Sequence, residues 1–374
     1  MIAKAVVLFF WLAGSWSALM FADPGPFGVV LLTISVGLAM AGIGFGVMHD
    51  ANHGSFSARA GVNRLVGHTM ELLGGSSHLW RQQHNVLHHG FTNVAGADAD
   101  IEPGPLLRFA PWQPWRPHHR FQHVYVWALY AVFPLRWFLW DDFRELATGR
   151  IGGRSFPPAR GRTLAVALAG KCVFYLWAVI LPVLFHPTWW LVAIWLLAAL
   201  TLGTVLASVF QLAHCVGEAR FHELPEGARM STDWAEHQVT TTVDFARGNR
   251  LLAWYVGGLN FQIEHHLFPR VSHLHYPALA PIVEAVCRAH GVRYHSEPTL
   301  RSAVGANMRW LREMGRPPAA APERSRPGGQ RENESSNATS DGAKSVLRTK
   351  ASASWAPYSR SMPESSHSTE SGPV

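Results

Sequence analysis

The sequence predicts an all-α integral membrane protein with about four transmembrane helices, additional interfacial helices and a histidine-rich cap on the cytoplasmic side. Three observations support this prediction. Of the 374 residues, 48% are hydrophobic and only 15% are charged, whereas about 25% are charged in a typical soluble domain. Four apolar runs are long enough to cross a bilayer, which takes about 20 helical residues. The 21 histidines are concentrated in clusters.

The four apolar runs form two predicted hairpins. The first run is too long for the hydrophobic region of a signal peptide, and the turn at residues 22–26 contains Asp23, Pro24, Gly25 and Pro26. The later pair is joined by a short connection at residues 185–188. We therefore predict spans at about 1–22, 27–48, 163–185 and 188–213.

Two interruptions of the apolar regions call for separate interpretation. Residues 121–140 are apolar and aromatic but contain Pro134 and Arg136, which predicts a helix lying in the membrane interface. Lys171 falls within the third predicted span, where a charge is costly and marks a candidate functional residue. We expect Lys171 to lie near the end of that span, with its amine extended toward the interface.

The distribution of arginine predicts the orientation. The connections at 23–26 and 186–188 contain no Lys or Arg, whereas segments 49–120 and 136–162 contain many arginines. Basic residues favour the cytoplasmic side, so all the histidine clusters are expected to face the cytoplasm. The net charge of +7 is then explained by membrane orientation and not by nucleic-acid binding. The strong preference for Arg over Lys is a weak sign of a bacterial protein, hence of the inner membrane.

The chain divides into two predicted regions. Residues 1–316 form the membrane domain. Residues 317–374 are rich in Pro, Ser, Arg, Glu and Gly without apolar periodicity, which predicts a disordered tail. The chain has three cysteines and no CxxC motif, which argues against a disulfide framework, a zinc ribbon and a thiolate-held iron–sulfur cluster.

Three short histidine clusters are candidate metal ligands, since spacings of three and four residues place side chains on one face of a helix. One such pair alone is more often a helix cap or an interface residue, but three clusters on one side of a membrane indicate a shared metal site. Seven imidazoles exceed the needs of one tetrahedral zinc, and ligation without thiolates suits non-haem iron that handles O2. The clusters contain His49 and His53; His84, His88 and His89; and His265 and His266, preceded by Gln262.

The order and spacing of these clusters resemble the three histidine boxes of the membrane fatty acid desaturases. The similarity extends over residues 25–300 and includes the placement of spans between the boxes. Gln262 in place of a histidine is similar to the front-end branch, which includes linoleoyl-CoA and sphingolipid desaturases. The resemblance implies a centre of two iron ions that uses O2 to introduce a double bond into an acyl chain.

The resemblance also implies the ligands of that centre. The family carries a further ligand at the end of the fourth span, which corresponds to His214. The implied set is His49, His53, His84, His88, His89, His214, His265 and His266. No side chain beyond the metal centre is assigned a catalytic role.

Four residues near the boxes are candidates to orient these ligands or a water molecule: Gln262, Asp50, Glu264 and Asp244. Metal-bound imidazoles usually donate their other N–H to a neighbouring acceptor, although each acid could equally be a surface residue. His237 is expected to be structural. The remaining histidines of interest are expected at the surface or the interface: His118, His119, His123, His273 and His275.

The expected substrate is an acyl-CoA or a membrane acyl-lipid. Family members with a fused cytochrome b5 domain carry the haem-binding motif HPGG, but here His186-Pro187 is followed by Thr188. Electrons are therefore expected from a separate ferredoxin, cytochrome b5 or flavin reductase. Two alternatives are a lipid hydroxylase on the same scaffold and a metal transporter or sensor, which would place ligands inside the spans.

Overall fold

The computed structural model describes residues 1–186, 189–223 and 232–318. Helices account for nearly all of the regular structure in these ranges, so the all-α prediction is confirmed. Two pairs of two-residue strands are also present. The predicted disordered tail lies outside the described residues, apart from positions 317 and 318.

Four helices are long and apolar enough to cross a membrane, as predicted. They are the first, second, eighth and ninth of the helices, which we number in chain order: α1 (Ile2–Phe21), α2 (Gly25–His53), α3 (Ala60–Gly67), α4 (Thr69–Leu72), α5 (Ser77–Trp80), α6 (Gln122–Arg136), α7 (Asp142–Thr148), α8 (Gly161–Phe185), α9 (Trp190–His214), α10 (Trp234–Thr241), α11 (Arg250–Tyr255), α12 (Gln262–Leu267), α13 (Tyr276–Ala289) and α14 (Leu300–Met314).

The second span is longer than predicted, and the extension carries the first histidine cluster. α2 continues beyond residue 48 to His53, with a π-helical segment at Gly44–Met48. It ends at Gly54, whose φ of 80° is a left-handed conformation that glycine adopts without strain. Both histidines of the first cluster are therefore on the last turns of a membrane-spanning helix.

Small residues let α2 pack closely against α1 and α9. A Cβ on Gly42 would lie 2.8 Å from Cδ2 of Leu8 in α1, and a Cβ on Gly37 would lie 2.7 Å from the carbonyl oxygen of Ala198 in α9. Such close approaches are typical of packed membrane helices. α2 is thus held between two other spans, which fixes the direction in which its histidines point.

α6 overlaps the helix predicted at residues 121–140. A π-helical segment, Trp137–Asp141, follows it and leads into α7. A Cβ on Gly203 of α9 would lie 2.5 Å from the carbonyl oxygen of Tyr130 and 2.5 Å from Cδ of Pro134. α6 therefore packs directly on the fourth span, and its location in the membrane interface stays a prediction.

Lys171 is buried and paired, so the expectation that its amine extends to the interface is wrong. Its side chain is 4% exposed, and Nζ lies 2.7 Å from Oδ2 of Asp142 in α7. Nζ also donates a hydrogen bond to the carbonyl oxygen of Gly74. A buried charge needs a partner to offset its desolvation, and α7 brings Asp142 to this position.

The segments between and after the spans form the cap, and short pairings tie them together. The strands are β1 (Arg150–Ile151), antiparallel to β2 (Arg154–Ser155), and β3 (Asp244–Phe245), parallel to β4 (Ser296–Glu297). The amide of Asn93 donates to the carbonyl oxygens of His214 at 3.1 Å and Thr241 at 3.3 Å. Asn93 thus links the segment after the second histidine cluster to the end of α9.

Candidate metal centre

The structure brings together all eight histidines predicted as ligands. Their nitrogens form overlapping sets in which the atoms lie within 4.8 Å of one another. We call the first set the His49 group (His49, His53, His84 and His265) and the second the His88 group (His88, His214 and His266). His89 forms a further set with His265 and His266 and so connects the two groups.

His49 and His53 come from the last turns of α2, and their ring centroids are 4.6 Å apart. Nε2 of His49 lies 3.2 Å from Nε2 of His84. The ring of His84 in turn stacks on Trp80, with centroids 4.4 Å apart. The first cluster and the start of the second therefore face each other across a gap lined by ring nitrogens.

The second cluster departs from the predicted α-helical geometry. Arg81–His88 is π-helical, and the backbone N–H of His89 donates to the carbonyl oxygen of His84, 3.0 Å away. The i→i−5 hydrogen bonding of a π-helix brings His89, five positions after His84, to the same side of the helix, and the Nε2 atoms of the two rings lie 3.2 Å apart. His84 belongs to the His49 group, and it also forms a set with His88 and Asp100.

The remaining candidate ligands come from α9 and α12. His214 is the last residue of α9, and its ring centroid lies 4.7 Å from that of His88. α12 carries His265 and His266, and its backbone is held by Asp244, which accepts a hydrogen bond from the N–H of Ile263 at 3.0 Å. His214 thus lies beside the three clusters, and its role as a metal ligand stays a prediction.

Several ring nitrogens in the cluster are buried and lack a hydrogen-bond partner among the described residues: Nε2 of His53, His88, His265 and His266, and Nδ1 of His89 and His214. Buried polar atoms without partners are costly and need an explanation. A metal ion would satisfy several of them at once, and neutral imidazole is a suitable ligand for iron. The residues present therefore fit a metal centre.

The protonation of the rings agrees with this fit. Burial lowers the pKa of four of the histidines well below the usual value, so these rings are neutral at pH 7 and offer lone pairs: His84, His89, His265 and His266. At His88, burial also lowers the pKa, but the carboxylates of Asp98 and Asp100 outweigh it, so that the pKa is raised.

The sequence interpretation missed two residues that contact the Nδ1 atoms of candidate ligands, on the side facing away from the cluster. Nδ1 of His88 lies 3.1 Å from Oδ2 of Asp98. Nδ1 of His266 lies 2.9 Å from Oε1 of Gln238, whose Nε2 donates to the carbonyl oxygen of His89 at 3.0 Å. The pair Asp98 and Asp100, shortly after the second cluster, was a signal in the sequence. The sequence around Gln238 contained no pattern that indicated this role.

The predicted orienting residues have different surroundings. Asp50 lies close to its neighbour His49, with Oδ1 3.8 Å from Nδ1 of the ring. The side chain of Gln262 contacts His214. Asp244 and Glu264 instead share the hydroxyl of Tyr294, at 2.5 Å and 3.0 Å. These two acids stabilise α12, which carries two ligands, and burial raises the pKa of both.

Two of the histidines expected at the surface or the interface are buried, and the expectation is wrong for them. His119 is 1% exposed and bonds through Nε2 to the carbonyl oxygen of Pro105 at 3.1 Å. His273 is 4% exposed, and its Nδ1 lies 2.8 Å from Oδ2 of Asp50. His237 is also buried, at 4% exposure, but lies outside the metal-binding sets of the described residues.

Comparison with known proteins gives consistent matches. The profile of the family described as fatty acid desaturase matches residues 24–298. The chain is 37% identical over 321 residues to the sn-1 linoleoyl-lipid 6-desaturase of Synechocystis sp., covering 84% of this chain and 89% of that protein. It is 36% identical over 316 residues to the enzyme of the same name from Arthrospira platensis, covering 84% and 85%. The acyl-lipid (8-3)-desaturase of Physcomitrium patens is 36% identical over 317 residues, covering 84% of this chain and 64% of that protein.

Proposed function

Because the chain belongs to the fatty acid desaturase family, we propose that its histidine cluster holds two iron ions and acts on acyl chains carried by membrane lipids. The reaction of the family is the O2-dependent introduction of a double bond into a fatty acyl chain, so the protein is an oxidoreductase. The observation that carries the proposal is the convergence of eight imidazoles at the end of a bundle of four apolar helices.

The two groups divide the ligands between the two ions. The His49 group would hold one iron and the His88 group the other, with His89 available to either. When bound, the iron pair supplies the reduction of O2 to water, using two electrons from a donor and two from the acyl chain as it loses two hydrogens. The protein's part is to keep the rings oriented and shielded from water.

The surrounding side chains perform that positioning. Asp98 accepts the Nδ1–H of His88, which leaves Nε2 of that ring free for a metal. Gln238 does the same for His266 through its side-chain oxygen. Gln262, beside His214, is a weaker donor than an imidazole and is proposed to orient His214 or a water molecule.

An acyl-lipid is favoured over an acyl-CoA because of the relatives' substrates. The proteins from Synechocystis sp. and Arthrospira platensis are named as acting on linoleoyl groups of lipids at position 6. A substrate anchored in the bilayer also needs no transfer through water before it reaches a site at the end of the spans. We therefore propose a linoleoyl lipid as substrate, with the new double bond on the carboxyl side of the existing ones.

The electron donor and the orientation complete the proposal. A separate ferredoxin, cytochrome b5 or flavin reductase would deliver electrons to the cap. The arginine-rich segments 49–120 and 136–162 support a cytoplasmic cap by the positive-inside rule, in keeping with the inner membrane of a bacterium.

The test is expression in a bacterium without polyunsaturated lipids, supplied with linoleate and a ferredoxin system, followed by mapping of double bonds in intact lipids. A new double bond in lipid-bound linoleate is the expected result, and a His265→Ala variant serves as the inactive control. Hydroxylated chains without a new alkene would indicate the alternative hydroxylase. A new double bond that appears first in acyl-CoA would contradict the lipid substrate.

A further inference from the structure

A line of buried polar side chains links the first span to the histidine cluster. Nζ of Lys4 in α1 lies 3.0 Å from Nε2 of His273. Nδ1 of His273 lies 2.8 Å from Oδ2 of Asp50, and Oδ1 of Asp50 lies 3.8 Å from Nδ1 of His49. None of the four residues is more than 6% exposed. Residues far apart in the chain therefore meet behind one member of the His49 group.

The chemistry of these groups determines which atom is the donor and which the acceptor in each hydrogen bond. A lysine ammonium donates hydrogen bonds and accepts none, so Nε2 of His273 must be the acceptor. The proton of the neutral His273 ring is then on Nδ1, where it is donated to Asp50. The carboxylate of Asp50 faces Nδ1 of His49 at 3.8 Å, a distance at which it acts through charge and not through a hydrogen bond. Its charge favours the tautomer with a proton on Nδ1, which directs the lone pair of Nε2 into the cluster.

The surroundings of Lys4 differ from those of Lys171, the other buried lysine of the described spans. Lys171 contacts a carboxylate directly, at 2.7 Å. The hydrogen-bond partner found for Lys4 within the described ranges is the neutral ring of His273, and its amine also lies 5.7 Å from the ring centroid of Trp254. A Cβ on Gly46 would lie 2.5 Å from Nζ of Lys4. Among the described residues, hydrogen bonds therefore connect Lys4 to the carboxylate of Asp50 through His273.

We propose that Lys4 is a positioning residue of the metal centre, which acts through His273 and Asp50 to fix the tautomer and orientation of His49. The proposal rests on the proposed function, since it requires that the His49 group binds iron. It assigns a role in the site to a residue of the first span, before any of the three histidine clusters. Removing the donor at Lys4 should weaken the metal held by the His49 group and leave that of the His88 group unchanged.

The experiment is an anaerobic titration of the purified, metal-free full chain with ferrous iron against a chelator, followed by Mössbauer spectroscopy of the loaded protein. Lys4→Met removes the donor and keeps the length of the side chain, whereas Lys4→Arg keeps a cationic donor. Ser15→Ala is the matched control, because Ser15 is another buried polar residue of α1 and bonds to Ser35 at 2.8 Å, away from the histidines.

Lys4→Met should weaken one of the two iron sites by a few-fold, less than the roughly 10- to 100-fold typical for losing a direct partner of a ligand, and should change one of two quadrupole doublets. Lys4→Arg should recover at least part of the affinity, and Ser15→Ala should match the unaltered protein. Unchanged affinity and spectrum in Lys4→Met would overturn the proposal. So would equal weakening of both sites in Lys4→Met and Ser15→Ala, since that result indicates general packing.

Two further outcomes are distinguishable. If Lys4→Met does not accumulate in membranes, His273→Asn decides the question, because it leaves Lys4 in place but is too short to connect Lys4 with Asp50. The same selective loss is expected, and unchanged iron binding would overturn the proposal. If the unaltered protein binds no iron, the proposed function fails, whatever the result for Lys4.

Discussion

The His88 group and the His49 group consist of the same kind of side chain, but the Nδ1 atoms that face away from the cluster have different partners in the two groups. In the His88 group, Asp98 lies 3.1 Å from His88 and Gln238 lies 2.9 Å from His266. In the His49 group, the corresponding distances are 3.8 Å from Asp50 to His49 and 3.4 Å from the hydroxyl of Tyr276 to His265. Because outer partners orient a ligand and strengthen its donor atom, the His88 group should bind its metal more tightly.

The partners also differ in where they originate. Asp98 comes ten residues after His88 and is held by backbone contacts of its own segment, including the N–H of Asn93 at 3.0 Å. The partners of the His49 group are tied to other parts of the chain, with Asp50 bonded to His273. Asp98 is thus positioned by its own segment, whereas Gln238 and His273, the partner of Asp50, come from distant parts of the chain.

The largest effect is expected from removing a ligand of the more tightly held group. His88→Ala should reduce desaturation by more than roughly 100-fold and lower the iron content, because no other ring can replace the lost nitrogen and Asp98 loses its partner. Product formation in membranes and iron per chain measure this. His119→Ala, a change at a buried histidine outside the cluster, is the control and should keep its iron. Normal iron content in His88→Ala would remove His88 from the ligands.

The next largest effect is expected at the carboxylate partner of His88. Asp98→Asn should weaken iron binding by about 10- to 100-fold, because the Nδ1–H of His88 would face a neutral amide. Asp100→Asn is the control. Oδ2 of Asp100 lies farther from Nδ1 of His88, at 3.7 Å, so this change should reduce the iron affinity less. Competition with a chelator measures both variants. A larger loss for Asp100→Asn would contradict the assignment of Asp98 as the main partner.

A moderate effect is expected at Gln238, which makes neutral hydrogen bonds. Gln238→Leu should weaken iron binding by up to about tenfold, because one neutral hydrogen bond contributes about 0.5–1.5 kcal/mol. The readout is the iron affinity of the tighter site in the ferrous titration. Gln122→Leu, at a buried glutamine that bonds to the backbone of Arg108 and Leu311, is the matched control. Equal losses in both variants would show that Gln238 acts only on the stability of the fold.

The smallest effect is expected in the His49 group. Tyr276→Phe should change iron affinity by only about twofold, since the contact with Nδ1 of His265 is long at 3.4 Å and weak hydrogen bonds contribute little. The readout is the affinity of the weaker iron site. A loss as large as that of Asp98→Asn would mean that the two groups are held equally well and that the comparison fails.

The spans and most of the candidate ligands were predictable because each depends on local sequence. A run of about 20 apolar residues is sufficient to identify a membrane helix, and the spacing of His84, His88 and His89 is visible without a fold. The π-helical turn that brings His89 beside His84 was not predictable from this spacing. It depends on how the second cluster packs into the cap.

The partners of the ligands were less predictable, since they depend on contacts between distant residues. His273 was expected at the surface, yet it is buried between Lys4 and Asp50, more than 200 positions away along the chain. Lys171 was expected to extend to the interface, because the sequence does not show that α7 places Asp142 beside it. In both cases the residue was visible in the sequence, but the side chains that contact it in the fold were not.

The most direct test of the two-iron site is the number of iron ions bound per chain in the purified, anaerobically loaded protein, measured by metal analysis during a stepwise titration. The predicted result is two ions per chain that bind in two steps, with the His88 group filled first. Binding of a single ion, or of none, would contradict the assignment of the eight histidines to a two-iron centre.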